Sequence, residues 1–371
     1  MSCWEAGDCY GGDCYPMFRS LRDRVWFRGE YLLWGLNGPT VPSLVTTSTN
    51  SADAGILGQP TTSTLFGNER LNNSTRSGGR FTLGSWMDPC HDAGLEVTYI
   101  YLGDSTDVFE SGLTSTSILA RPFFDSGDGV QSSWLLAQPN QLQGSVSISA
   151  KSQFSSLEAL VRRRVFDDCT SGMNFLIGYR YAQLRDELSI SDHRVRTGQS
   201  AIEPTGTQID QFDWFEGNNT FHGFEIGFVN EARYNNWSLE LLTKLALGNT
   251  RSEVGIAGHT NMTYNGITTT TPGGLLTQAT NIGQYQRDNF TVIPELGLTL
   301  GYDVTRHLRA TVGYSFIYWS KVVRAGDQID VNVNLPATAG QLPTGAQQPA
   351  ASFKTTDFWA QGLNVGFEYN F

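Results

Sequence analysis

The sequence predicts an all-β fold: an antiparallel transmembrane β-barrel of about ten strands, with long extracellular loops and short periplasmic turns. Three observations predict it. Ten segments of about 9 to 20 residues alternate apolar and polar side chains, long enough to cross an apolar layer at a tilt near 45°. Their connections alternate long and short along the chain, a sorting that outer-membrane barrels show and that sandwiches and propellers have no reason to adopt. The last nine residues put Leu363, Val365, Phe367, Tyr369 and Phe371 on one face and Asn364, Gly366, Glu368 and Asn370 on the other, and they stop on an aromatic ring.

Taken in order, the segments are centred on Phe27 to Trp34, Gly79 to Met87, Ala93 to Leu102, Val146 to Arg164, Met173 to Ile190, Phe221 to Ala232, Trp237 to Val254, Phe290 to Tyr302, Leu308 to Val323 and Phe358 to Phe371. Long links run near 35–78, 103–145, 191–220, 255–289 and 324–357. Short ones fall at Asp88 to Asp92, Phe166 to Ser171, Arg233 to Asn236 and Asp303 to His307. The count becomes twelve if the second long loop hides a hairpin around Phe109 to Leu119. Only Leu157 to Arg164 also reads as a helix.

Alternation alone does not say which face is inside, but strand length, sorted loops and the aromatic end turn the apolar face toward lipid. In the eighth segment that face carries Phe290, Val292, Leu296, Leu298, Leu300 and Tyr302; in the ninth, Ala310, Val312, Tyr314 and Phe316. Aromatics cluster near segment ends, as interfacial girdles do. Tyr302, Trp237 and Tyr369 are expected at the periplasmic interface, and Trp34, Tyr101, Tyr181 and Tyr318 at the outer one.

Composition fits this reading and removes others. The 371 residues include 40 Gly, 21 Phe, 14 Tyr and 9 Trp, with 16% charged. No apolar run approaches the roughly 18 residues of a transmembrane helix. The net charge of -11, with no basic run, excludes nucleic acid, which needs clustered Lys and Arg. The carboxylates Asp104, Asp107, Glu110, Asp210, Asp213 and Glu216 fall in expected loops and read as a solvated surface. A calcium site there lacks the Asp-x-Asp-x-Asp-Gly spacing.

From Trp26 onward the wording itself is informative. FRGEYLLWGLNGPTVPSLVTTS (27–48), GILGQPTTSTLFG (55–67), RSGGRFTLGSWMD (76–88), LARPFFD (119–125), IGYRYAQLRDELSI (177–190) and SFIYWSKVVRAGDQIDVNVN (315–334) resemble the outer-membrane β-barrel porin family typical of planctomycetes. The resemblance spans nearly everything from residue 26 to Phe371. It implies residence in a bacterial outer membrane and supplies no catalytic residues. Residues 1–25 read as a Cys- and Gly-rich leader and 26–371 as the barrel. The chain opens Met-Ser-Cys-Trp without a basic region and apolar core, so no export signal is visible. The expected partners are outer-membrane lipid and the barrel assembly machinery, for which Phe367, Tyr369 and Phe371 form the signal.

Five cysteines are present: Cys3, Cys9 and Cys14 in the leader, Cys90 and Cys169 in two successive short turns. Neighbouring periplasmic turns can come within disulfide reach in an oxidising compartment, so a Cys90 to Cys169 bond is expected. The leader spacings fit no zinc knuckle, and no metal or cofactor is expected. The histidines His91, His193, His222, His259 and His307 form no recognisable pair or triad. A rim Asp-His site using His222 with Asp210 or Asp213 can be drawn, but no catalytic residues are assigned and no enzyme is expected.

The polar face is more informative. By phase it collects Arg28, Arg80, Arg162, Arg180, Lys244 and Arg309 with Glu30, Glu96, Glu158, Glu225, Glu240, Glu295 and Glu368. Buried charges persist when paired and hydrogen-bonded, so these predict a salt-bridged lumen. Two readings stand: the pairs line a narrow channel for small polar solutes or ions, or they fill a closed barrel whose extracellular loops carry a structural or surface-interaction role. Eight strands leave room only for side chains and 16 to 18 leave an aqueous pore; ten lies nearer the closed end.

Overall fold

A computed structural model describes residues 24–112, 117–168, 170–335, 342 and 344–371. Ten strands form the wall: β1 (Val25–Leu36), β2 (Arg76–Trp86), β3 (Ala93–Ser111), β4 (Leu142–Asp167), β5 (Ser171–Arg196), β6 (Gln208–Tyr234), β7 (Trp237–Tyr264), β8 (Gly283–Asp303), β9 (Leu308–Val323) and β10 (Thr355–Asn370). Each pairs antiparallel with its chain neighbours, and β1 pairs with β10 from Trp26↔Asn370 to Leu36↔Ala360, which closes the ring. Closure leaves no backbone donor or acceptor facing lipid unpaired, which an open sheet cannot achieve. No described helix is long and apolar enough to cross a membrane.

Strands β4 to β7 run 26, 26, 27 and 28 residues, longer than the alternating segments suggest. At about 3.3 Å per residue such strands reach roughly 85 to 90 Å, far more than a tilted strand needs for an apolar band about 25 Å tall. The wall therefore continues above the membrane on the long-loop side. Apolar alternation stops where the outer face meets water, whereas backbone pairing does not. Outward positions there are Ser145, Ser147, Ser191, Asp210 and Asn261, still in register. The expected links 103–145, 191–220 and 255–289 are thus partly strand, and Leu157 to Arg164 is strand.

The second long loop holds a hairpin, but at Leu119–Asp125 with Val130–Ala137 rather than around Phe109 to Leu119, since Phe109 to Ser111 end β3, and it does not enlarge the wall. It joins Val45–Ser48, Thr62–Phe66 and Asn332–Val333 in a separate sheet over the barrel mouth. The barrel has ten strands, not twelve. Val41, Leu44, Leu119, Phe123, Ile329 and Val333 from the loops pack with Ile148, Ile190, Phe215 and Val254 from the upper wall, so the cap and the upper lumen share one apolar core.

The membrane face is a belt of exposed apolar side chains, including Leu83, Val97, Leu157, Phe224, Leu241, Leu298, Val312 and Val365. Phe367, Tyr369 and Phe371 continue it, with Tyr369 and Phe371 edge to face at 5.0 Å. Trp237 and Tyr302 meet at a tilt, ring centroids 4.8 Å apart, at the short-turn end. Trp34 departs from expectation. It is fully buried in the lumen, because Tyr31 and Leu33 occupy the outward phase of β1 and its indole N–H donates to Asn364 Oδ1 at 2.7 Å.

Candidate functional site in the lumen

Inward positions of all ten strands stack in layers. At the short-turn end Arg28 on β1 binds Glu240 on β7 (Nη1 to Oε1, 2.7 Å) and Glu368 on β10 (Nη2 to Oε2, 2.7 Å). Arg309 reaches Glu231 at 2.8 Å and Asp303 at 2.7 Å. Arg162 pairs with Glu96 at 2.9 Å and covers the Trp26 ring at 5.2 Å. That indole fits because position 84 is glycine: a Cβ there would lie 2.2 Å from Trp26 Cε2. These groups border a cavity of about 40 Å³, room for a water molecule or so rather than a column.

The next layer is a closed ionic network. The Arg180 guanidinium bridges Glu158 and Glu295 and has Glu225 Oε1 at 3.3 Å. Lys244 Nζ binds Glu158 and has Glu295 at 3.9 Å. Arg80 donates to Glu295 at 3.0 Å, lies 3.6 Å from Glu30 and also donates to Ser315 Oγ. Glu158, Glu225, Glu295 and Arg180 are each at most 1% exposed. Every one of the thirteen charges named from phase faces the lumen and has an opposite charge within 4 Å. The charges alternate in sign around the circumference because each strand contributes one or two inward groups at this depth.

Above the ions lies an apolar layer that alternation had not suggested, since it breaks the rule of polar residues inward. Leu32, Trp34, Ile100, Phe154, Leu184, Phe221, Ile293, Trp319 and Phe358 fill the lumen. Phe154 stacks on Phe358 at 5.2 Å, and Phe221 meets Trp319 edge-on at 6.1 Å.

A crossing segment completes the seal. At Lys321 the backbone turns through a left-handed conformation (φ 56°) and the register with β10 shifts; Val322 and Val323 pair again with Thr356 and Thr355, and beyond them Arg324, Ala325, Gly326 and Gln328 are buried in the lumen instead of continuing up the wall. Asn219 on β6 grips this segment from the opposite side: Val323 N–H donates to its Oδ1 at 2.8 Å, and its Nδ2 donates to the Val323 carbonyl at 2.7 Å. Arg324 pairs with Asp186 on β5 and donates to the Asn37 carbonyl at 2.7 Å. Gly217 makes the approach feasible, because a Cβ there would stand 3.0 Å from the Val323 carbonyl oxygen.

Higher still, Arg121 of the loop hairpin enters the barrel and binds Asp192 and Asp213, each at 2.6 Å. Asp213 Oδ1 also accepts from Thr277 N–H at 2.9 Å, tying another loop to the same point. Burial against Arg121 corrects the reading of Asp213 as a solvated loop carboxylate. Asp104, Asp107, Glu110, Asp210 and Glu216 likewise stand on β3 and β6 rather than in loops. Asp192, Arg121 and Arg324 were missed because their segments read as linkers, whereas Asp186 shares the inward phase of Arg180 on β5 and was legible by the same rule.

The histidines do not assemble with the aspartates as drawn. His222 bonds Tyr179 Oη at 2.5 Å on the outer wall. Asp210 lies twelve positions along β6, roughly 40 Å at about 3.3 Å per residue, and pairs with His193 at 2.6 Å on an outer, solvent-facing position. Cys90, in the turn after β2, is disulfide-bonded. Cys169, Cys3, Cys9 and Cys14 lie outside the described residues.

Among solved structures, the chain is similar to the outer membrane protease OmpT from Escherichia coli (8% identity, 94% of this chain and 97% of that one, TM-score 0.41). It is also similar to the P. putida toluene transporter TodX (8%, 94% and 90%, TM-score 0.23) and an anion-selective porin from Comamonas acidovorans (8%, 94% and 99%, TM-score 0.20). A search of curated proteins found no match. The sequence pattern of the family described as Putative beta barrel porin-7 (BBP7) matches residues 26–371. With a closed ten-stranded wall, a lipid-facing belt and that match over the whole barrel, the chain belongs to this family of porin-like β-barrels and resides in the bacterial outer membrane.

Proposed function

We propose that this protein is a closed outer-membrane barrel whose resting lumen conducts no steady solute flux and whose folded extracellular cap is the part that meets other molecules. The observation that carries this reading is the sequence of seals on one axis: an ionic layer at most 1% exposed at Arg180, an apolar layer around Trp34 and Trp319, and the crossing segment clasped by Asn219. Passage of small polar solutes or ions, the other reading, requires all three to be displaced. The thirteen inward charges act here as structural pairs. No catalytic step is assigned.

Assembly follows the same logic. Phe367, Tyr369 and Phe371 face lipid on the strand that closes against β1, which supports their role as the signal read by the assembly machinery. Planar-bilayer recording of refolded protein tests the closed reading. Silent bilayers, with protein shown to be inserted by its heat-dependent gel shift, are expected; a large, steady open-channel current from the wild type overturns it.

A further inference from the structure

The ionic layer does not balance. It contains four carboxylates, Glu30, Glu158, Glu225 and Glu295, and three cations, Arg80, Arg180 and Lys244, contributed by seven different strands. The charges beneath it, Arg28 with Glu240 and Glu368, and Arg162 with Glu96, are engaged with each other. One negative charge is left over in a layer whose Glu158, Glu225, Glu295 and Arg180 are each at most 1% exposed, where an uncompensated ion is strongly disfavoured. The layer therefore needs one more positive charge.

Glu225 is where that charge belongs. Glu158 accepts from Arg180 and Lys244, and Glu295 from Arg80 and Arg180. Glu225, 0% exposed, has only Arg180 Nη1 at 3.3 Å, and among the described residues neither of its oxygens accepts a hydrogen bond. Oxygens of Glu158, Glu225 and Glu295 lie within 4.8 Å of one another, so an ionised Glu225 is repelled by two neighbours, and protonation removes that repulsion. A metal ion would have to sit against the Arg180 guanidinium and the Lys244 ammonium, which already occupy the near oxygens. A proton has no such conflict.

We propose that Glu225 is a proton-binding site: it stands in the lumen as a neutral carboxylic acid, and loss of that proton unlocks the ionic layer. This rests on the closed-lumen reading for its consequence, though the protonation itself is measured separately. Because the unfolded chain releases the proton in the acid range while the barrel keeps it, the folded state binds more protons and this group makes stability fall as pH rises toward neutral.

Infrared spectroscopy of the intact barrel across a pH titration, wild type against Glu225→Gln, is the test. A carbonyl band of a buried protonated acid at neutral pH, present in the wild type and lost in E225Q, is expected. The difference in melting temperature between E225Q and wild type should also shift in favour of E225Q as pH rises. No acid band in the wild type overturns the proposal. A uniform loss of stability in E225Q at every pH, the mark of an ionised Glu225 paired with Arg180, overturns it too, as does sodium-dependent stabilisation without the band. If E225Q fails to fold, the wild-type titration decides alone. Steady conductance at neutral pH with the band intact would refute the closed lumen and leave the proton site standing.

Discussion

Arg324, carried by the segment that leaves β9, forms an ion pair across the barrel with Asp186 on β5, and both side chains are at most 2% exposed. The pair spans the lumen rather than lining it, which makes it a bolt for the crossing segment. Replacing Arg324 by Met leaves Asp186 buried without its partner, at a cost on the order of 3 to 5 kcal/mol. The expected outcome is a lower melting temperature, read as conversion to the heat-denatured gel position, that is partly restored in the double variant with Asp186→Leu. A single variant as stable as the wild type would show that the bolt carries no load.

Gly217 offers a way to displace the crossing segment without touching a charge. A Cβ at this position would press on the Val323 carbonyl, the Arg324 backbone and the Ala325 amide at 3.0 to 3.2 Å, and these are backbone atoms that cannot swing aside. Gly217→Leu should therefore push Val323 off Asn219 and lower the melting temperature while bilayers stay silent, because the apolar and ionic layers below remain in place. A large steady current from the folded variant would mean that the crossing segment alone holds the lumen closed.

Neutralising Arg180 separates a structural ionic layer from a conducting one. In Arg180→Gln, Glu158, Glu225 and Glu295 lose their shared cation, so a loss of about 3 to 5 kcal/mol with little or no current is expected. A stable variant with a large current and altered ion selectivity would favour a wet channel instead.

The turn carrying Cys90 lies beside the end of β4, since Arg164 N–H donates to the Asp92 carbonyl at 2.8 Å, and β4 leads into the turn carrying Cys169. Non-reducing peptide mapping is expected to recover these two turns linked. Recovery of Cys90 joined to a leader cysteine would reassign the bond and tie residues 1–25 to the periplasmic rim. Within the second turn, backbone N–H groups of Thr170 and Ser171 hold the Asp168 carboxyl below its usual range, so this turn keeps its form well into acid.

Much of the wall was legible because a membrane strand is tested by two solvents at once. Leu296, Leu298 and Leu300 must face lipid and Glu295 must not, so a period of two records both the strand and its inward charges. Partners were not legible. Phase states that Arg28 and Glu240 point inward, but β1 and β7 meet only because ten strands curve into a closed ring, and their separation of 212 positions leaves no local trace.

The sequence by itself determined the alternating wall strands, the lipid-facing side and the identity of the lower inward charges, since each follows from one residue's relation to its immediate neighbours along a strand. Tertiary structure alone decided what fills the lumen. Arg324 to Gln328 read as the start of a long loop, Trp34 as an interface aromatic and Asp213 as a solvated carboxylate. Each became a seal or an anchor only through groups on distant strands: Asp186, Asn364 and Arg121. Closure depends on what fills a common axis, and no single strand carries a record of what its opposite wall supplies.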